Sequence, residues 1–213
     1  MRAPSQHYCT FTPATNMDNI IQQFRHIDIY LLDQILKGRY QAPETVLDAG
    51  AGGGRNLPWF IGQGIRVFGT DRDPEAIAYL KSTYPHLPKD TFRICPVEKL
   101  PFPDTFFHHV VSSAVLHFAD NHQHFEAMFG EMVRVLKPGG SLFIRATTDV
   151  GLSGDLKPLG NGRYWLRDES ERYLMTQPIL DALVERHQLH WLEPFKTVVV
   201  DHLRSMAVIV LGK

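Results

Sequence analysis

The amino-acid sequence predicts an α/β protein with a doubly wound sheet and helices on both of its faces. Three observations support this prediction. Residues 46–54 read as a buried strand that runs into a glycine-rich turn, and a helical pattern follows. Residues 66–71 read as a second apolar strand that ends at an acid. Strand and helix patterns then alternate as far as residues 137–147, where a Lys-Pro-Gly-Gly turn precedes a further apolar strand.

The first 40 residues are expected to form an N-terminal segment and a covering helix. Residues 1–15 carry two prolines and no periodicity, so we expect a mobile segment or a lid. From Asn16 to Gly38 apolar residues recur at three- and four-residue spacing, which predicts one amphipathic helix. Asn16 or Asp18 would cap this helix and Gly38 would end it.

The glycine-rich turn restricts the kind of ligand. A dinucleotide-binding turn needs a third glycine where this chain has Arg55, and no lysine follows as it would in a phosphate-binding loop. Asp48 stands two residues before the first glycine, Gly50. A carboxylate there would repel a pyrophosphate but suits a cationic ligand such as an ammonium or a sulfonium.

These residues resemble a known motif. The order hydrophobic-hydrophobic-Asp-x-Gly-x-Gly-x-Gly at Asp48, Gly50, Gly52 and Gly54 is similar to motif I of the class I S-adenosylmethionine-dependent methyltransferases. The resemblance implies a Rossmann-like, mostly parallel seven-stranded sheet whose last strand is antiparallel. It also implies S-adenosylmethionine as cofactor and S-adenosylhomocysteine as product.

The second strand supplies the acid that this resemblance requires. Asp71 ends that strand at the spacing where doubly wound folds place the acid that binds a ribose, although a solvated loop aspartate remains the alternative. Asp73 and Pro74 then predict a helix start. The resemblance implies a cofactor site formed by these residues: Asp48, Ala49, Gly50, Gly52, Gly54, Arg55, Asn56, Asp71, Arg72, Val97, Glu98, Ser112 and Ser113.

The segment after the third strand (92–95) departs from the family pattern. Small-molecule methyltransferases of the resembled type 11-like subgroup often carry an acid where this chain has Pro96, before a Leu-Pro-Phe-x-Asp segment. The loss removes a side-chain contact to the adenine but leaves the backbone of Val97 in place. Glu98 is either a substitute for the missing acid or a surface acid.

The fourth strand (109–113) leads to the candidate catalytic residue, His117. It lies just beyond the carboxyl end of the strand, where open α/β sheets bind ligands, so it is either a general base or a structural histidine. His122 and His124 lie nearby, but no thiolates or regular ligand spacing accompany the three histidines. We therefore expect no metal site.

The C-terminal part is expected to cover the acceptor. A helix at 125–136 and the fifth strand (141–147) precede a glycine-rich stretch at 148–166, which predicts a lid loop or a plain connection. Asp168–His187 predicts a helix that Pro178 kinks or divides, and 189–200 and 205–211 predict the last strands. The expected substrate pocket includes Arg145, Tyr164 and Trp165, which suit a small planar or anionic acceptor.

Composition sets the remaining expectations. With 213 residues, 44% hydrophobic content and a net charge of -1, the chain predicts one globular domain over residues 1–213. The near-neutral charge argues against a nucleic-acid substrate. Short apolar runs, no signal-peptide pattern and only two cysteines predict a cytoplasmic protein that is not membrane-bound. The protein is expected to be a monomer or a homodimer.

The predicted function is methyl transfer to a small-molecule acceptor by in-line displacement. Three alternatives remain open. A nicotinamide dehydrogenase is disfavoured by Arg55 and Asp48 in the glycine-rich turn. A non-catalytic S-adenosylmethionine-binding partner is kept open by Pro96. A protein or RNA methyltransferase is disfavoured by the near-neutral charge and by the lack of an added recognition domain.

Overall fold

The computed structural model describes residues 17–152 and 156–213, with side chains from residue 21 onward. Its strands are β1 (Thr45–Ala49), β2 (Arg66–Asp71), β3 (Phe92–Ile94), β4 (Phe107–Ser113), β5 (Leu136–Thr147), β6 (Lys157–Gly160), β7 (Arg163–Trp165), β8 (Glu171–Tyr173), β9 (His190–Trp191), β10 (Lys196–Val200) and β11 (Arg204–Gly212). Its α-helices are α1 (Met17–Phe24), α2 (Ile29–Leu36), α3 (Leu57–Gly62), α4 (Pro74–Thr83), α5 (His122–Val135) and α6 (Gln177–Arg186).

The central sheet has the strand order β10-β11-β5-β4-β1-β2-β3. The pairs β1–β2, β1–β4, β2–β3 and β4–β5 are parallel, whereas β11 runs antiparallel to β5 and β10. The short strand β9 also pairs with β11 and brings the sheet to eight strands. The predicted seven-stranded, mostly parallel architecture with an antiparallel last strand is therefore confirmed, with β9 as a small addition.

Two apolar layers cover the faces of the sheet. Alternate residues of β1 divide between them, because successive side chains of a strand point to opposite faces: Leu47 packs with α5 and α6, whereas Val46 packs with α2, α3 and α4. Both residues are almost fully buried. The strands are thus apolar on both faces, as expected for a parallel sheet covered by helices.

The single N-terminal helix predicted from Asn16 to Gly38 is wrong, since the chain forms two helices there. Asp28 interrupts the helix, and its carboxylate accepts a 3.0 Å hydrogen bond from the backbone N–H of Tyr30 to cap α2. Gly38 follows α2 with a positive φ, as the prediction of its end required. Asn16 and the expected mobile segment at 1–15 lie outside the described residues.

The described part of residues 148–187 also differs from the prediction, whereas residues 153–155 of the expected lid loop lie outside the described residues. Strands β6, β7 and β8 form a separate three-stranded antiparallel sheet where a lid loop and the start of a long helix were expected. The helix α6 begins only at Gln177, and Thr176 caps it. Pro178 lies in its first turn, where proline lacks only an N–H that would be unpaired anyway, so it starts this helix and does not kink it.

This architecture collects the carboxyl ends of the parallel strands along one edge. The segments that follow β1, β2, β3 and β4 all emerge there, and the antiparallel sheet β6–β8 contacts the short 3₁₀ helix at Leu116–Phe118 that follows β4. In open α/β sheets this is the edge where ligands bind. Within the described ranges, no helix is long and apolar enough to cross a membrane.

Candidate cofactor and acceptor site

The glycine-rich turn folds tightly over the end of β2. The backbone N–H groups of Gly50 and Ala51 both donate to the carbonyl oxygen of Thr70, at 2.9 and 2.8 Å. Gly50 has a φ of +81°, and a Cβ there would stand 2.5 Å from the side chain of Val115. Gly52 also has a positive φ but no atom within 4 Å of where its Cβ would point. A side chain at Gly50 would therefore clash with Val115, and the left-handed backbone at Gly52 favours glycine.

Asp71 ties this turn to β2. One carboxylate oxygen accepts a 2.8 Å hydrogen bond from the N–H of Gly52, and the other accepts a 2.9 Å bond from the N–H of Asp73. These bonds fix the carboxylate at the mouth of the turn. Each oxygen retains a lone pair for a further donor, such as a ribose hydroxyl.

A first cavity of about 310 Å³ opens beside this turn, and we name it the motif I cavity. Six of its twelve lining residues are among those that the sequence predicted for the cofactor. The other six are mainly apolar residues from the segments that follow β3 and β4. Its lining residues are Gly50, Gly52, Asp71, Arg72, Pro96, Val97, Glu98, Ala114, Val115, Phe118, His124 and Met128.

Glu98 lies in this lining next to His124. Its carboxylate oxygen is 3.3 Å from the Nε2 atom of His124, yet that nitrogen has no partner with hydrogen-bond geometry. The other ring nitrogen of His124 lies 3.1 Å from the carboxylate of Asp120. Pro96 lines the cavity as well, so the position of the missing family acid is on the cavity wall. Glu98 is the carboxylate nearest in sequence to that position.

Asp48 is completely enclosed behind the turn. Burial raises the pKa of its carboxyl to about 7, while the charge of Arg55 and a hydrogen bond with Asn56 oppose the rise and the nearby Asp71 adds to it. One carboxyl oxygen of Asp48 has no hydrogen-bond partner. A buried polar atom without a partner is costly.

The remaining predicted cofactor residues lie behind the wall of the motif I cavity or outside it. Ala49, Asn56 and Ser112 are buried, and the hydroxyl of Ser112 has no partner. Gly54 packs its backbone against Leu80 and Leu57. Ser113 does not line the cavity and instead joins a buried cluster around Asp28.

Asp28 is the centre of that cluster. One of its carboxylate oxygens accepts from the Ser113 hydroxyl at 2.7 Å and from Arg145 at 2.9 Å, and Arg55 lies 3.5 Å away. Burial alone would raise the pKa of Asp28, but the bonds from Arg145 and Ser113 and the charge of Arg145 lower it below its ordinary value. The cluster thus ties α2 to the carboxyl ends of β4 and β5.

A second cavity of about 310 Å³, the arginine cavity, adjoins the motif I cavity. Ala114 and Phe118 line both cavities. Ala114 has a φ of +66°, a strained conformation for a residue with a side chain. The lining of the arginine cavity is Arg55, Ala114, His117, Phe118, Arg145, Thr147, Asp168, Ser170, Arg172, Arg204 and Met206.

His117 is a buried member of the arginine cavity. Burial, together with the positive charges of Arg172, Arg145 and Arg204, lowers its pKa to about 3, and the single opposing charge comes from Asp168. Its Nδ1 atom has no hydrogen-bond partner. The imidazole is therefore neutral at physiological pH, and its Nδ1 atom is enclosed by protein.

The structure separates the predicted pocket residues. Arg145 lines the arginine cavity, but Tyr164 and Trp165 lie on β7 and line neither cavity. Arg163, their neighbour, donates to the carbonyl oxygen of Ala119 at 2.7 Å and so joins β7 to the segment after β4. Sequence reasoning missed Arg172 as a cavity residue, because the helix expected from Asp168 to His187 concealed its strand.

Comparisons with known proteins agree with this geometry. Residues 47–144 match the family model described as a methyltransferase domain, of the type 11 kind. An uncharacterized methyltransferase of Mycobacterium tuberculosis is 29% identical over 152 residues. This match covers 70% of the present chain, and the chain spans 58% of the length of that relative.

Solved structures show the same fold. An S-adenosylmethionine-dependent methyltransferase of Methanosarcina mazei matches with a TM-score of 0.68 and 21% identity, over 84% of this chain and 96% of that one. The 1,6-didemethyltoxoflavin-N1-methyltransferase of Burkholderia thailandensis, solved with that compound and S-adenosylhomocysteine, matches with a TM-score of 0.59 and 19% identity, over 97% and 93% of the chains.

The sheet order and the motif I turn together define a class I methyltransferase fold. The match of residues 47–144 to the methyltransferase-domain model and the fold shared with solved S-adenosylmethionine-dependent methyltransferases support a class I methyltransferase of the type 11 kind. S-adenosylmethionine is the cofactor of this family, and the residues present fit it. The carboxylate of Asp71, fixed at the mouth of the turn, suits ribose hydroxyls, and the apolar side chains of Val97 and Met128 suit an adenine ring.

Proposed function

We propose that this chain transfers a methyl group from S-adenosylmethionine to a small-molecule acceptor. One observation carries the proposal: the motif I cavity and the arginine cavity meet at Ala114 and Phe118. Two ligands that fill adjoining cavities can present their reacting atoms to each other at this junction. Proximity and orientation of that kind are the main requirement of a displacement reaction.

The motif I cavity is assigned to the cofactor. Asp71, fixed by the N–H groups of Gly52 and Asp73, offers its free lone pairs to the ribose hydroxyls. Arg72 and Glu98 stand at the rim, and Val97 offers its backbone to the adenine. The cofactor supplies a methyl group that its sulfonium charge has already activated, so the protein has to position and not to activate it.

The arginine cavity is assigned to the acceptor. Its volume of about 310 Å³ is at the lower end of the range for small-molecule sites. His117 contributes a neutral imidazole to the wall of this cavity. Its pKa of about 3 makes it a weak base, so its first role is to orient the acceptor, and proton removal would require a more basic imidazole.

The low basicity of His117 keeps one alternative open, a protein that binds S-adenosylmethionine without transferring its methyl group. Pro96, which replaces the family acid on the wall of the motif I cavity, points the same way. The proposed enzyme and the non-catalytic protein would both bind the cofactor, but only the enzyme would transfer its methyl group.

Calorimetry with S-adenosylhomocysteine, followed by a screen of small acceptors for transfer of a labelled methyl group, tests the proposal. We expect binding in the micromolar range, about −8 kcal/mol. Binding without transfer to any acceptor class favours the non-catalytic alternative. No binding of S-adenosylhomocysteine or S-adenosylmethionine, together with binding of NAD, overturns the proposal.

A further inference from the structure

The charge balance of the arginine cavity is uneven. Four arginines contribute to its wall but only one carboxylate, that of Asp168, does so. The arginines come from four separate parts of the chain: the segment after β1, the end of β5, β8 and the start of β11. Like charges gathered in one small cavity repel each other, so an anion in the cavity would be attracted strongly.

Two of these arginines are already committed to the buried carboxylate of Asp28. Arg145 donates to it at 2.9 Å and also stacks over the ring of Tyr30, and Arg55 donates to Ser113 at 2.7 Å. These two side chains are held in place from behind the cavity wall. They contribute positive charge to the cavity, but the carboxylate that they face, that of Asp28, does not line the cavity.

The other two arginines keep donors for a ligand. The Arg172 guanidinium lies 4.9 Å from the centre of the Phe118 ring and donates only to the carbonyl oxygen of Glu171, and no carboxylate pairs with it among residues 17–152 and 156–213. Arg204 reaches Asp168 only at 3.4 Å. A guanidinium has five N–H donors, so most donors of both residues remain unused.

A buried histidine lies beside these arginines. His117 is 6% exposed, lines the cavity, and leaves its Nδ1 atom without a partner. The hydroxyl of Ser170 and the apolar side chains of Phe118 and Met206 complete the surroundings. The cavity therefore offers cationic side chains, a neutral imidazole and apolar side chains, of which Phe118 also lines the motif I cavity.

We propose that the methyl acceptor is a small organic oxyanion, a carboxylate or a similarly charged group, held by Arg172 and Arg204. Forked guanidinium donors match the two oxygens of such a group. The apolar part of the molecule would then lie on Phe118 and Met206, toward the junction with the motif I cavity. This inference rests on the proposed function, because it assumes that the arginine cavity holds the acceptor.

The test uses sulfate as an oxyanion probe, because sulfate makes no demand on the rest of the acceptor. Sodium sulfate is titrated against sodium chloride at constant ionic strength, and the Nε–Hε signals of the arginines and the ring signals of His117 are followed by NMR. We expect saturable shifts at Arg172, Arg204 and His117. We also expect benzoate to compete with sulfate and the neutral isostere benzamide to fail.

Variants decide whether the two arginines are responsible. In Arg172→Gln/Arg204→Gln the apparent dissociation constant for sulfate should rise by about tenfold or more. Arg186→Gln, a matched change on the exposed end of α6, should leave it unchanged. If the double variant does not fold, Arg204→Gln alone should still weaken sulfate by about threefold.

Three results would overturn the inference: shifts that do not saturate, equal sulfate affinity in the wild type and the folded arginine variants, or equal binding of benzoate and benzamide. S-adenosylhomocysteine is titrated into the same samples. If it binds while sulfate does not, the anionic acceptor is wrong and the proposed function stands. If it does not bind either, the proposed function fails first.

Discussion

Asp48 provides the sharpest test of the physical reasoning, because its carboxyl is buried without full compensation. Burial raises its pKa from 3.8 to about 7 in the folded protein. The folded state therefore holds the proton more tightly than the unfolded chain does. The contribution of this proton to stability is fully present below about pH 4 and is lost as the pH rises through about 7.

The magnitude follows from the size of the shift. About three pKa units at about 1.4 kcal/mol each correspond to about 4 kcal/mol between the two limits of pH. Between pH 5 and pH 8, this titration should lower the free energy of unfolding of the wild type by about 2.5 kcal/mol. Asp48→Asn keeps the shape of the side chain and removes this titration.

The assay is urea unfolding of the ligand-free wild type and Asp48→Asn at pH 5 and pH 8. We expect the variant to gain about 2.5 kcal/mol relative to the wild type between the two values, and to be the more stable protein at pH 8. Asp181→Asn, an exposed acid on α6, is the control and should show no such change. A stability difference between Asp48→Asn and the wild type that stays constant from pH 5 to pH 8 would refute the argument from burial.

Three further predictions concern the two cavities and the cluster between them. Asp71→Ala should weaken S-adenosylhomocysteine by about 2 kcal/mol or more, and Glu98→Ala by less, because only Asp71 is fixed at the turn by two backbone N–H groups. Equal affinities by calorimetry would remove Asp71 as the ribose ligand. His117→Ala should reduce methyl transfer more than Trp165→Ala does, since only His117 lines the arginine cavity, while both leave cofactor affinity within about 0.5 kcal/mol. A larger loss in Trp165→Ala, measured with the same acceptor, would show that β7 closes on the substrate. Asp28→Ala should lower the free energy of unfolding by about 3–5 kcal/mol, because it leaves buried guanidinium and hydroxyl groups without their partner. The pKa of Asp28 is lowered in the folded state, so the stability that this carboxylate contributes is present above its unfolded pKa and is lost as the pH falls through the folded value. The difference in free energy of unfolding between the wild type and Asp28→Ala, measured by chemical unfolding, should therefore be smaller in acid than at neutral pH.

The sequence predicted the parallel part of the sheet because its signals are local. An apolar strand, a glycine turn and a capped helix recur within short windows, and each constrains the backbone by itself. Asp73 does cap α4, with its side chain accepting from the N–H of Glu75, as the Asp-Pro pair indicated. The prediction failed where helical and strand patterns are short and ambiguous, as at β8. The hydrogen bonds of β8 go to the separate strand β7, and the residues of β8 alone do not indicate that pairing.

The N-terminal error has a different cause. The apolar spacing from Asn16 to Gly38 is compatible with one continuous helix, and nothing in that window shows that Asp28 is needed elsewhere. Its carboxylate is bound by Arg145, 117 residues away, and by Ser113, 85 residues away. Long-range pairing of a buried acid thus decided where α2 begins.

The sequence by itself determined the fold class, the motif I turn with its glycines, and the position of Asp71 at the end of β2. These features depend on backbone geometry over a few residues, which the order of residue types specifies directly. Only the tertiary structure decided the arginine cavity, the junction at Ala114 and Phe118, and the altered pKa values of Asp48 and His117. Desolvation and the interactions between charges depend on which groups surround a side chain, so they depend on which distant segments the folded chain brings together.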